Sequence, residues 1–409
     1  MRVSVATFGC KVNQCDSEEF ELLLSRQGVE VVGLEDGLDF VIVNGCAVTE
    51  RANSEVRRFV GRMLREFPGA RPVLAGCTAR LDSQTVPGGE KTLVLRRKED
   101  LLDCLGLAAG DRISPRQIDS HRRTRVFVKV QEGCSERCSF CVVPSVRGNS
   151  KSVEISDAVD RVAEKVREGA KEVVIVGTDL GDYGRGNLVT TNLSELLQRI
   201  WDLPGEFRVR LGSIESRHLD RELVRLFASS KKLCRHFHVP VQSGDDAVLR
   251  MMGRKCLSAE VAARIRELCG AVPDASIGTD VIVGFPGEGE ESFLRTVDFL
   301  ISLPFSYFHV FPFSRRPGTP AFSMKTGIPD GEMRRRASVL RSIGEGKRKS
   351  FAGKFSGQRL QVLSIGDSLT DIGLTDNYIR VKLSRKVRQN RFFNVLMEDS
   401  GGTPAAKIL

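Results

Sequence analysis

Two features that define membrane and secreted proteins are missing from this sequence of 409 residues. No apolar run approaches the roughly 20 residues that cross a bilayer, and the amino terminus lacks the pattern of a secretion signal. The chain has 11 cysteines, yet it is much longer than secreted scaffolds held by disulfides. We therefore expect a cytoplasmic protein, without a membrane partner, whose thiols bind metal in a reducing compartment.

Acidic residues are in the minority, since the sequence has 52 Asp and Glu and 62 Lys and Arg, which gives a formal charge of +10. This excess suits a polyanionic partner, because each phosphate that a cation neutralises releases condensed counterions. Charge alone does not identify that partner as nucleic acid. The hydrophobic content of 41% is ordinary for a soluble globular protein, and the length predicts two or three domains.

Three cysteines, Cys134, Cys138 and Cys141, follow a strand-like apolar run at 126–130 and a turn glycine, Gly133. Thiolates this close together on a loop can converge on one metal centre, and three of them leave the fourth iron of a 4Fe-4S cluster open. The alternatives are a structural zinc site with a distant fourth ligand, or thiols that only pack. Zinc loops usually present paired Cys-x-x-Cys units, so we prefer the cluster.

A second set of cysteines, Cys10, Cys46 and Cys77, shares one local pattern. Each follows a glycine at the end of an apolar run. In an open parallel sheet, ligand sites gather beyond the carboxyl ends of the strands, so these three thiols are expected to meet there. The alternative is three unrelated buried thiols. The remaining cysteines are assigned to packing: Cys15, Cys104, Cys234, Cys256 and Cys269.

The chain divides into segments with different patterns. Up to about residue 110, short β-branched runs alternate with helical stretches, which predicts a parallel α/β sheet. Residues 111–125 are polar and arginine-rich and are interpreted as a linker. Six βα units then predict a partial barrel. The expected strands of that barrel are 126–130, 172–176, 208–211, 237–241, 277–283 and 307–311.

Beyond residue 354 the pattern changes to short alternating strands, typical of a small β-barrel. Four strands are expected there, at 359–363, 369–374, 378–383 and 393–397. Basic residues without an intervening acid lie beside Phe392 and Phe393, as suits an RNA strand. These candidate RNA-binding residues are Arg380, Lys382, Arg385, Lys386 and Arg388, with Arg391 nearby. The alternative is a solvated edge made basic to prevent strand pairing.

Over nearly its whole length the chain resembles the radical S-adenosylmethionine (SAM) methylthiotransferases. The stretches that carry the resemblance are 7–14 (TFGCKVNQ), 44–52 (NGCAVTERA), 130–143 (VQEGCSERCSFCVV), 236–250 (HFHVPVQSGDDAVLR), 278–288 (GTDVIVGFPGE) and 309–321 (HVFPFSRRPGTPA). The resemblance implies an amino-terminal methylthiotransferase domain at 1–112, a radical SAM core at 120–350 built as a partial (β/α)6 TIM-like barrel, and a TRAM-like RNA-binding β-barrel at 351–409.

The resemblance also implies the cofactors. Cys10, Cys46 and Cys77 would hold an auxiliary 4Fe-4S cluster, and Cys134, Cys138 and Cys141 the 4Fe-4S cluster that binds SAM. No catalytic side chain is expected beyond these ligands. Phe140, Gly177, Gln242 and Gly284 are candidate contacts of SAM, and the alternatives are glycines that only turn the chain and an aromatic side chain that is only core. Glu288, Glu290 and Glu291 are interpreted as first-turn acids favoured by a helix dipole.

Residues 11–14 (KVNQ) and 210–215 (RLGSIE) are similar to the branch that acts on N6-threonylcarbamoyladenosine at position 37 of tRNA. The expected reaction methylthiolates carbon 2 of that base, with two SAM molecules, a sulfur donor and an electron donor such as flavodoxin or ferredoxin, and its partner is the tRNA anticodon loop. The alternatives are the same reaction on isopentenyladenosine or a ribosomal-protein aspartate, and a non-catalytic iron–sulfur RNA-binding protein.

The sequence departs from the family at several positions. The family usually has two further arginines after Arg147, and this chain has Lys151 and Val153 in their places. Lys151 keeps one charge but not the bidentate fork of a guanidinium group. Cys15 and the pair Thr178–Asp179 are also unusual. These departures concern the choice of substrate more than the type of reaction.

Overall fold

The computed structural model of the protein describes residues 1–81, 86–107, 124–185, 191–325, 327–398 and 403–409. Its first part is a five-stranded parallel sheet in the order β2-β1-β3-β4-β5. The strands are β1 (Arg2–Thr7), β2 (Glu30–Val31), β3 (Phe40–Gly45), β4 (Arg71–Ala75) and β5 (Leu93–Val94), and the helices are α1 (Lys11–Arg26), α2 (Glu50–Glu66), α3 (Gly76–Arg80) and α4 (Leu101–Cys104). Val41, Ile42 and Val43 of β3 are fully buried, because helices cover both faces. The predicted parallel α/β arrangement is confirmed.

Six parallel strands form the predicted partial barrel. They are β6 (Arg125–Lys129), β9 (Glu172–Val176), β10 (Arg208–Leu211), β11 (His236–His238), β12 (Ser276–Val283) and β13 (Tyr307–Pro312). They pair as β10-β9-β6 and β11-β12-β13, and single bridges at Val209–Leu233 and Ser213–His238 join β10 to β11. The sheet therefore runs continuously from β6 at one end to β13 at the other.

Helices connect the strands of this barrel. They are α5 (Val143–Arg147), α6 (Ile155–Arg167), α7 (Leu193–Trp201), α8 (Arg221–Ser229), α9 (Asp246–Met251), α10 (Ser258–Ala271), α11 (Glu290–Ser302) and α12 (Asp330–Gly353). A two-stranded ribbon, β7 (Gln131–Glu132) with β8 (Lys151–Ser152), brackets the loop that carries Cys134, Cys138 and Cys141.

Several boundaries differ from those predicted, and two of the differences have a clear physical reason. The expected linker lies outside the described residues from 111 to 123, and its last residue, Arg125, begins β6 in register with Glu172, whose carboxylate attracts it. The fourth barrel strand ends at His238, not at residue 241, because Pro240 has no N–H for the ladder and Gln242 has a left-handed φ of 69°.

The carboxyl-terminal part is a closed five-stranded barrel in the order β14-β15-β16-β18-β17. Its strands are β14 (Arg359–Ser364), β15 (Leu369–Thr375), β16 (Arg380–Arg388), β17 (Phe392–Glu398) and β18 (Ala405–Ile408). The small barrel is confirmed, but the sequence predicts four strands and misses β18, a short run that begins with two alanines of low strand propensity. Tyr378, the expected start of the third strand, lies instead in the preceding turn with a φ of 67°.

The turn between β15 and β16 docks onto the partial barrel where its strands begin. Arg208 of β10 donates to the Leu374 carbonyl at 2.9 Å, and Arg210 donates to the Asp376 carbonyl at 2.8 Å. The Arg235 guanidinium donates to the Asp376 carboxylate at 2.7 Å. The small barrel therefore packs at the end of the partial barrel opposite to the cysteine loop.

Candidate metal centres at the strand ends

Cys10, Cys46 and Cys77 come together because β1, β3 and β4 are neighbours in the parallel sheet, and each cysteine follows one of them. Cys10 precedes α1, while Cys46 lies just after β3 and Cys77 in α3. Gly9 makes the approach possible, since a Cβ atom there would lie 2.5 Å from the Cβ of Cys46, and its φ of 106° suits glycine. The structure thus brings the predicted first triad together.

Asn13 and Arg147 line this first triad. The Asn13 Oδ1 atom lies 3.8 Å from the Sγ of Cys10 and 3.9 Å from the Sγ of Cys77. Its amide nitrogen donates to the Phe8 and Gly45 carbonyls, which fixes the side chain. The Nε of Arg147 lies 3.2 Å from the Sγ of Cys77, and Arg147 belongs to the segment that follows the other cysteine loop.

Burial and charge act in opposite directions on these thiols. Burial raises the pKa of Cys46 to about 11, and it also raises the pKa of Cys77. The Arg147 guanidinium favours the thiolate of Cys77 and so limits that rise. A buried thiol with raised pKa remains protonated unless a cation or metal stabilises the thiolate, which is the form that binds metal.

The second triad lies on the loop between β7 and α5. The backbone N–H of Cys134 donates to the Gly148 carbonyl and that of Cys141 to the Cys138 carbonyl, both at 3.0 Å. Ser139 is bound to Met252 and Ala321 through backbone hydrogen bonds, which anchors the loop to the barrel. The three half-buried thiols therefore occupy fixed positions on the rim.

The electrostatics of the second triad resemble those of the first. Burial raises the pKa of Cys134 to about 12 and that of Cys141 to about 11. A guanidinium again lies beside one thiol, since Arg254 Nη1 is 3.7 Å from Cys138 Sγ, and Arg254 also pairs with Glu215. Asp179 Oδ2 lies 3.9 Å from Cys134 Sγ, and burial followed by the charge of Glu215 raises the pKa of Asp179 to about 6.

Both triads fit a polynuclear cluster better than a single ion. Within the described ranges, the group of three ligand atoms that all lie within 4.8 Å of one another is His238, Asp280 and His309, so at least one pair of sulfurs in each triad is farther apart than that. A tetrahedral zinc with Zn–S bonds of 2.3 Å would hold its sulfurs about 3.8 Å apart. Three thiolates are a suitable donor set for an iron–sulfur cluster, and the guanidinium group beside each triad favours the thiolate form.

The four candidate SAM contacts lie on the rim that carries the second triad. Gly177 follows β9, Gln242 follows β11 and Gly284 follows β12, so all three stand at carboxyl ends of strands, where barrel enzymes place their sites. Gln242 keeps a left-handed φ of 69°, which costs about 1–3 kcal/mol. Phe140 packs against the apolar cluster of Val248, Met252, Phe285 and Ala321. Their contact with SAM stays a prediction.

Glu288 differs from its predicted role. It precedes α11 and is buried, whereas Glu290 and Glu291 do lie in the first turn of that helix. Its carboxylate accepts the Gly284 N–H at 2.6 Å and pairs with Arg336 at 3.0 Å. Glu288 thus fixes the turn after β12. The spacing Gly284-x-x-x-Glu288 was the signal in the sequence, and the interpretation as a helix-dipole acid missed it.

Aromatic and histidine side chains form a column inside the barrel that was not predicted. Tyr378, from the small barrel, stacks on His236 with ring centroids 4.2 Å apart, and the His236 Nε2 lies 2.8 Å from the Tyr307 hydroxyl. His238 and His309 each lie 3.1 Å from Asp280 Oδ1, and despite burial these two histidines lower the pKa of Asp280 to about 2. Alternating polar residues on β11 and β13 were the available signal.

The five candidate RNA-binding residues lie on one strand. Arg380, Lys382, Arg385, Lys386 and Arg388 of β16 are all exposed, whereas Val381, Leu383 and Val387 of the same strand point into the barrel core. No acidic partner pairs with any of the five within the part of the chain that the structure describes. The strand therefore offers an unneutralised basic surface.

No helix among the residues that the structure describes has both the length and the apolar character needed to cross a membrane.

Two family profiles match separate parts of the chain. The Radical SAM superfamily profile matches residues 128–300, and that of the Uncharacterized protein family UPF0004 matches residues 2–95. The chain is 34% identical over 402 residues to threonylcarbamoyladenosine tRNA methylthiotransferase MtaB of Aquifex aeolicus, covering 93% of this chain and 96% of that protein. It is 36% identical over 380 residues to the protein of the same name from Thermotoga maritima, covering 88% and 86%.

A relative with a different substrate is also similar. The tRNA-2-methylthio-N(6)-dimethylallyladenosine synthase of Sorangium cellulosum is 34% identical over 372 residues, covering 81% of this chain and 75% of that protein. Among solved structures, the radical S-adenosylmethionine methyltransferase TsrM of Kitasatospora setae, with cobalamin and a 4Fe-4S cluster bound, superposes with a TM-score of 0.57 at 16% identity. That match covers 78% of this chain and 76% of TsrM and concerns the fold alone.

Proposed function

The chain belongs to the radical SAM tRNA methylthiotransferase family, and from this premise we propose that it methylthiolates carbon 2 of N6-threonylcarbamoyladenosine at position 37 of tRNA. The relatives from Aquifex aeolicus and Thermotoga maritima, which carry that activity in their names, match nearly the full chain. Transfer to tRNA in the cytoplasm, with an electron donor such as flavodoxin or ferredoxin and a separate sulfur donor, is part of the proposal.

The observation that carries the proposal is the pair of cysteine triads. We assign Cys134, Cys138 and Cys141 to a 4Fe-4S cluster that binds SAM. Cys10, Cys46 and Cys77 are assigned to an auxiliary 4Fe-4S cluster. When bound, these groups supply radical chemistry strong enough for a carbon–hydrogen bond that no side-chain base can break at a useful rate. A single-cluster or zinc protein would not need both triads.

The protein's own residues position and shield this chemistry. Arg147 places a positive charge beside Cys77, which stabilises thiolate ligands. Glu288 fixes the turn at Gly284, and Gln242 is held in its left-handed conformation by the backbone bond from its N–H to Asp280. These contacts shape the rim where the cofactor would lie. Exposed cations of β16 provide a surface for the RNA backbone.

The substrate base must leave the anticodon stack to reach this rim. Unstacking costs a few kcal/mol and is easiest for an unpaired loop base. The basic surface of β16, on the small barrel, can offset that cost by attracting other phosphates of the tRNA. Position 37 lies in such a loop, so the proposed substrate meets the physical requirement of the fold.

The test is anaerobic turnover of the reconstituted protein with SAM, dithionite and sulfide. Two tRNA substrates are compared, one with N6-threonylcarbamoyladenosine and one with N6-dimethylallyladenosine at position 37, and Cys46→Ala serves as the control. Nucleoside mass spectrometry should detect 2-methylthio-N6-threonylcarbamoyladenosine with the unmodified enzyme only. Modification of the dimethylallyl substrate alone would reject the proposed branch. That substrate is included because the Sorangium cellulosum relative is named for it. Binding of tRNA without cleavage of SAM would reject an enzyme altogether.

A further inference from the structure

Lys11 combines burial with the lack of a partner. It is the first residue of α1 and directly follows Cys10. The side chain is half-buried, and its ammonium group interacts electrostatically with Tyr378, Arg125, Arg210 and Glu172. No hydrogen bond or ion pair engages this ammonium group among the residues that the structure describes. A half-buried cation in that state is costly unless a ligand completes its surroundings.

The Glu172 carboxylate, which attracts the Lys11 ammonium group, is already engaged. Glu172 accepts from Arg208 at 2.7 Å and from Arg210 at 2.9 Å, and Arg125 lies 3.9 Å from the same carboxylate. Three guanidinium groups thus share one negative charge. Lys11 adds a fourth positive charge near this carboxylate, so cations remain in excess even when Asp376, which pairs with Arg235, is counted.

The same excess of cations acts on the hydroxyl group of Tyr378. Burial alone would raise the pKa of this phenol, but the charges of Arg125 and Lys11, together with a hydrogen bond from Arg125, lower it. The Arg125 guanidinium lies 6.0 Å from the centre of the Tyr378 ring. A region that favours a negative phenolate will favour a carboxylate or phosphate of a ligand by the same electrostatics.

We propose that Lys11, assisted by Arg125, binds the carboxylate of the threonyl group and thereby selects N6-threonylcarbamoyladenosine over adenosines with an uncharged N6 substituent. This inference rests on the proposed function. The backbone of Lys11 directly follows Cys10, a ligand assigned to the auxiliary cluster, and its ammonium group lies among Tyr378, Arg125, Arg210 and Glu172. A base held at the rim would extend its N6 substituent toward that ammonium group. Lys11 is thereby a specificity-determining residue and not a catalytic one.

A phosphate of the tRNA backbone is the other source of a suitable anion, and the choice of substrates distinguishes the two. Anticodon stem-loops are prepared with N6-threonylcarbamoyladenosine and with its carboxamide analogue, which keeps every phosphate but loses the carboxylate charge. A hydrogen bond to a charged group contributes about 1.5–3 kcal/mol, equivalent to about 10–150-fold. The reconstituted protein should therefore show a KM for the acid about 10–150-fold below that for the amide.

The variants are Lys11→Met, Lys11→Arg and, as a control, Lys165→Met, which removes a cation paired with Glu168 on the outer helix α6. Lys11→Met should raise the KM for the acid to that for the amide, with the amide value unchanged. Lys11→Arg should keep most of the preference, and the control should keep all of it. Iron content and SAM cleavage without tRNA, measured on each variant, verify that both centres are assembled.

An acid-to-amide preference that survives in Lys11→Met would overturn the proposal, and so would an equal loss for both substrates, which would assign Lys11 to a phosphate. Equilibrium binding of the two stem-loops is measured in parallel. If the native protein modifies neither stem-loop but binds the acid more tightly in a Lys11-dependent way, the proposed function fails while the recognition stands. Equal binding of acid and amide by the native protein would reject the recognition.

Discussion

The Nε atom of Arg147 lies 3.2 Å from the Sγ atom of Cys77, although the two residues belong to different parts of the chain. Arg147 ends the short helix after the Cys134–Cys138–Cys141 loop, whereas Cys77 follows a strand of the amino-terminal sheet. Arg147 also binds Asp16 at 2.9 Å and Glu132 at 2.8 Å. A shift of the loop at one centre therefore moves a charge at the other.

Replacing Arg147 should change the reduction potential of the auxiliary centre. Arg147→Met removes a positive charge beside a thiolate, so the reduced and more negative cluster becomes less stable. The potential should become more negative by on the order of 100 mV, from a loss of about 3 kcal/mol at about 5 Å and an effective dielectric constant near 20. This reduction potential is measured by a potentiometric titration that is monitored by electron paramagnetic resonance.

The control is Arg80→Met, because Arg80 lies 3.9 Å from the same Glu132. Its removal should shift the potential much less than the removal of Arg147. Equal shifts in the two variants would mean that general charge, and not the contact with Cys77, sets the potential.

Substitution of Gly9 should remove one cluster and keep the other. In Gly9→Ala the new methyl group would lie 2.5 Å from the Cβ of Cys46, on a backbone with a φ of 106° that alanine disfavours. The iron content should fall from about eight to about four atoms per chain, because the atoms nearest to the new methyl group belong to Cys46 and Asn13 and not to the second triad. Gly33→Ala meets nothing within 4 Å and should retain all of its iron. Loss of both clusters in Gly9→Ala would contradict independent centres.

Glu172, buried at the end of the partial barrel, should make the free energy of unfolding depend on pH. Despite its burial, the guanidinium groups of Arg210 and Arg208 lower its pKa to about 2, whereas the unfolded value is about 4.3. The carboxylate therefore contributes stability that is fully present above about pH 4.3 and is lost as the pH falls through 2. Its contribution is on the order of 3 kcal/mol.

Glu172→Gln should lower the unfolding midpoint at pH 6 strongly, since it leaves buried guanidinium groups without a counter-charge. The difference from the native protein should shrink between pH 4 and pH 2.5. Glu30→Gln, which removes an exposed partner 3.6 Å from Arg2, is the control and should have little effect. A difference for Glu172→Gln that stays constant with pH would contradict the assignment.

Removing the basic surface of β16 should weaken tRNA binding without affecting SAM cleavage. In the triple variant Arg385→Ala, Lys386→Ala and Arg388→Ala, up to three phosphate contacts are lost. The negative slope of log K against log salt should therefore become shallower by about two units. Filter binding at several salt concentrations measures it. A charge-matched variant of α6, with Arg161, Lys165 and Arg167 replaced, should keep the native slope. Equal losses in both would attribute binding to net charge alone.

The sequence was most informative where structure follows from local pattern. The strand Glu172–Val176 was predicted to the residue, because a buried parallel strand is a nearly continuous apolar run. Arg208–Leu211 was also predicted to the residue, from its alternating apolar residues. The meeting of Cys10, Cys46 and Cys77 was also predictable, since parallel strands place their carboxyl ends along one edge.

The remaining features depend on contacts between distant segments. The sequence does not reveal that Arg147 reaches Cys77, or that Tyr378 of the small barrel stacks on His236. Lys11 was noticed only as part of a motif, and its burial without a partner emerged from packing against strands more than a hundred residues away. Such properties arise from three-dimensional proximity, for which one sequence contains no periodic signal.

The most direct test of the central claim is nucleoside mass spectrometry of tRNA from a bacterial host that lacks its own methylthiotransferases. The host expresses the native chain, Cys46→Ala or Cys138→Ala, one substitution at each centre. We expect 2-methylthio-N6-threonylcarbamoyladenosine with the native chain and with neither variant. Its absence with the native chain, or the appearance of 2-methylthio-N6-dimethylallyladenosine in its place, would contradict the account.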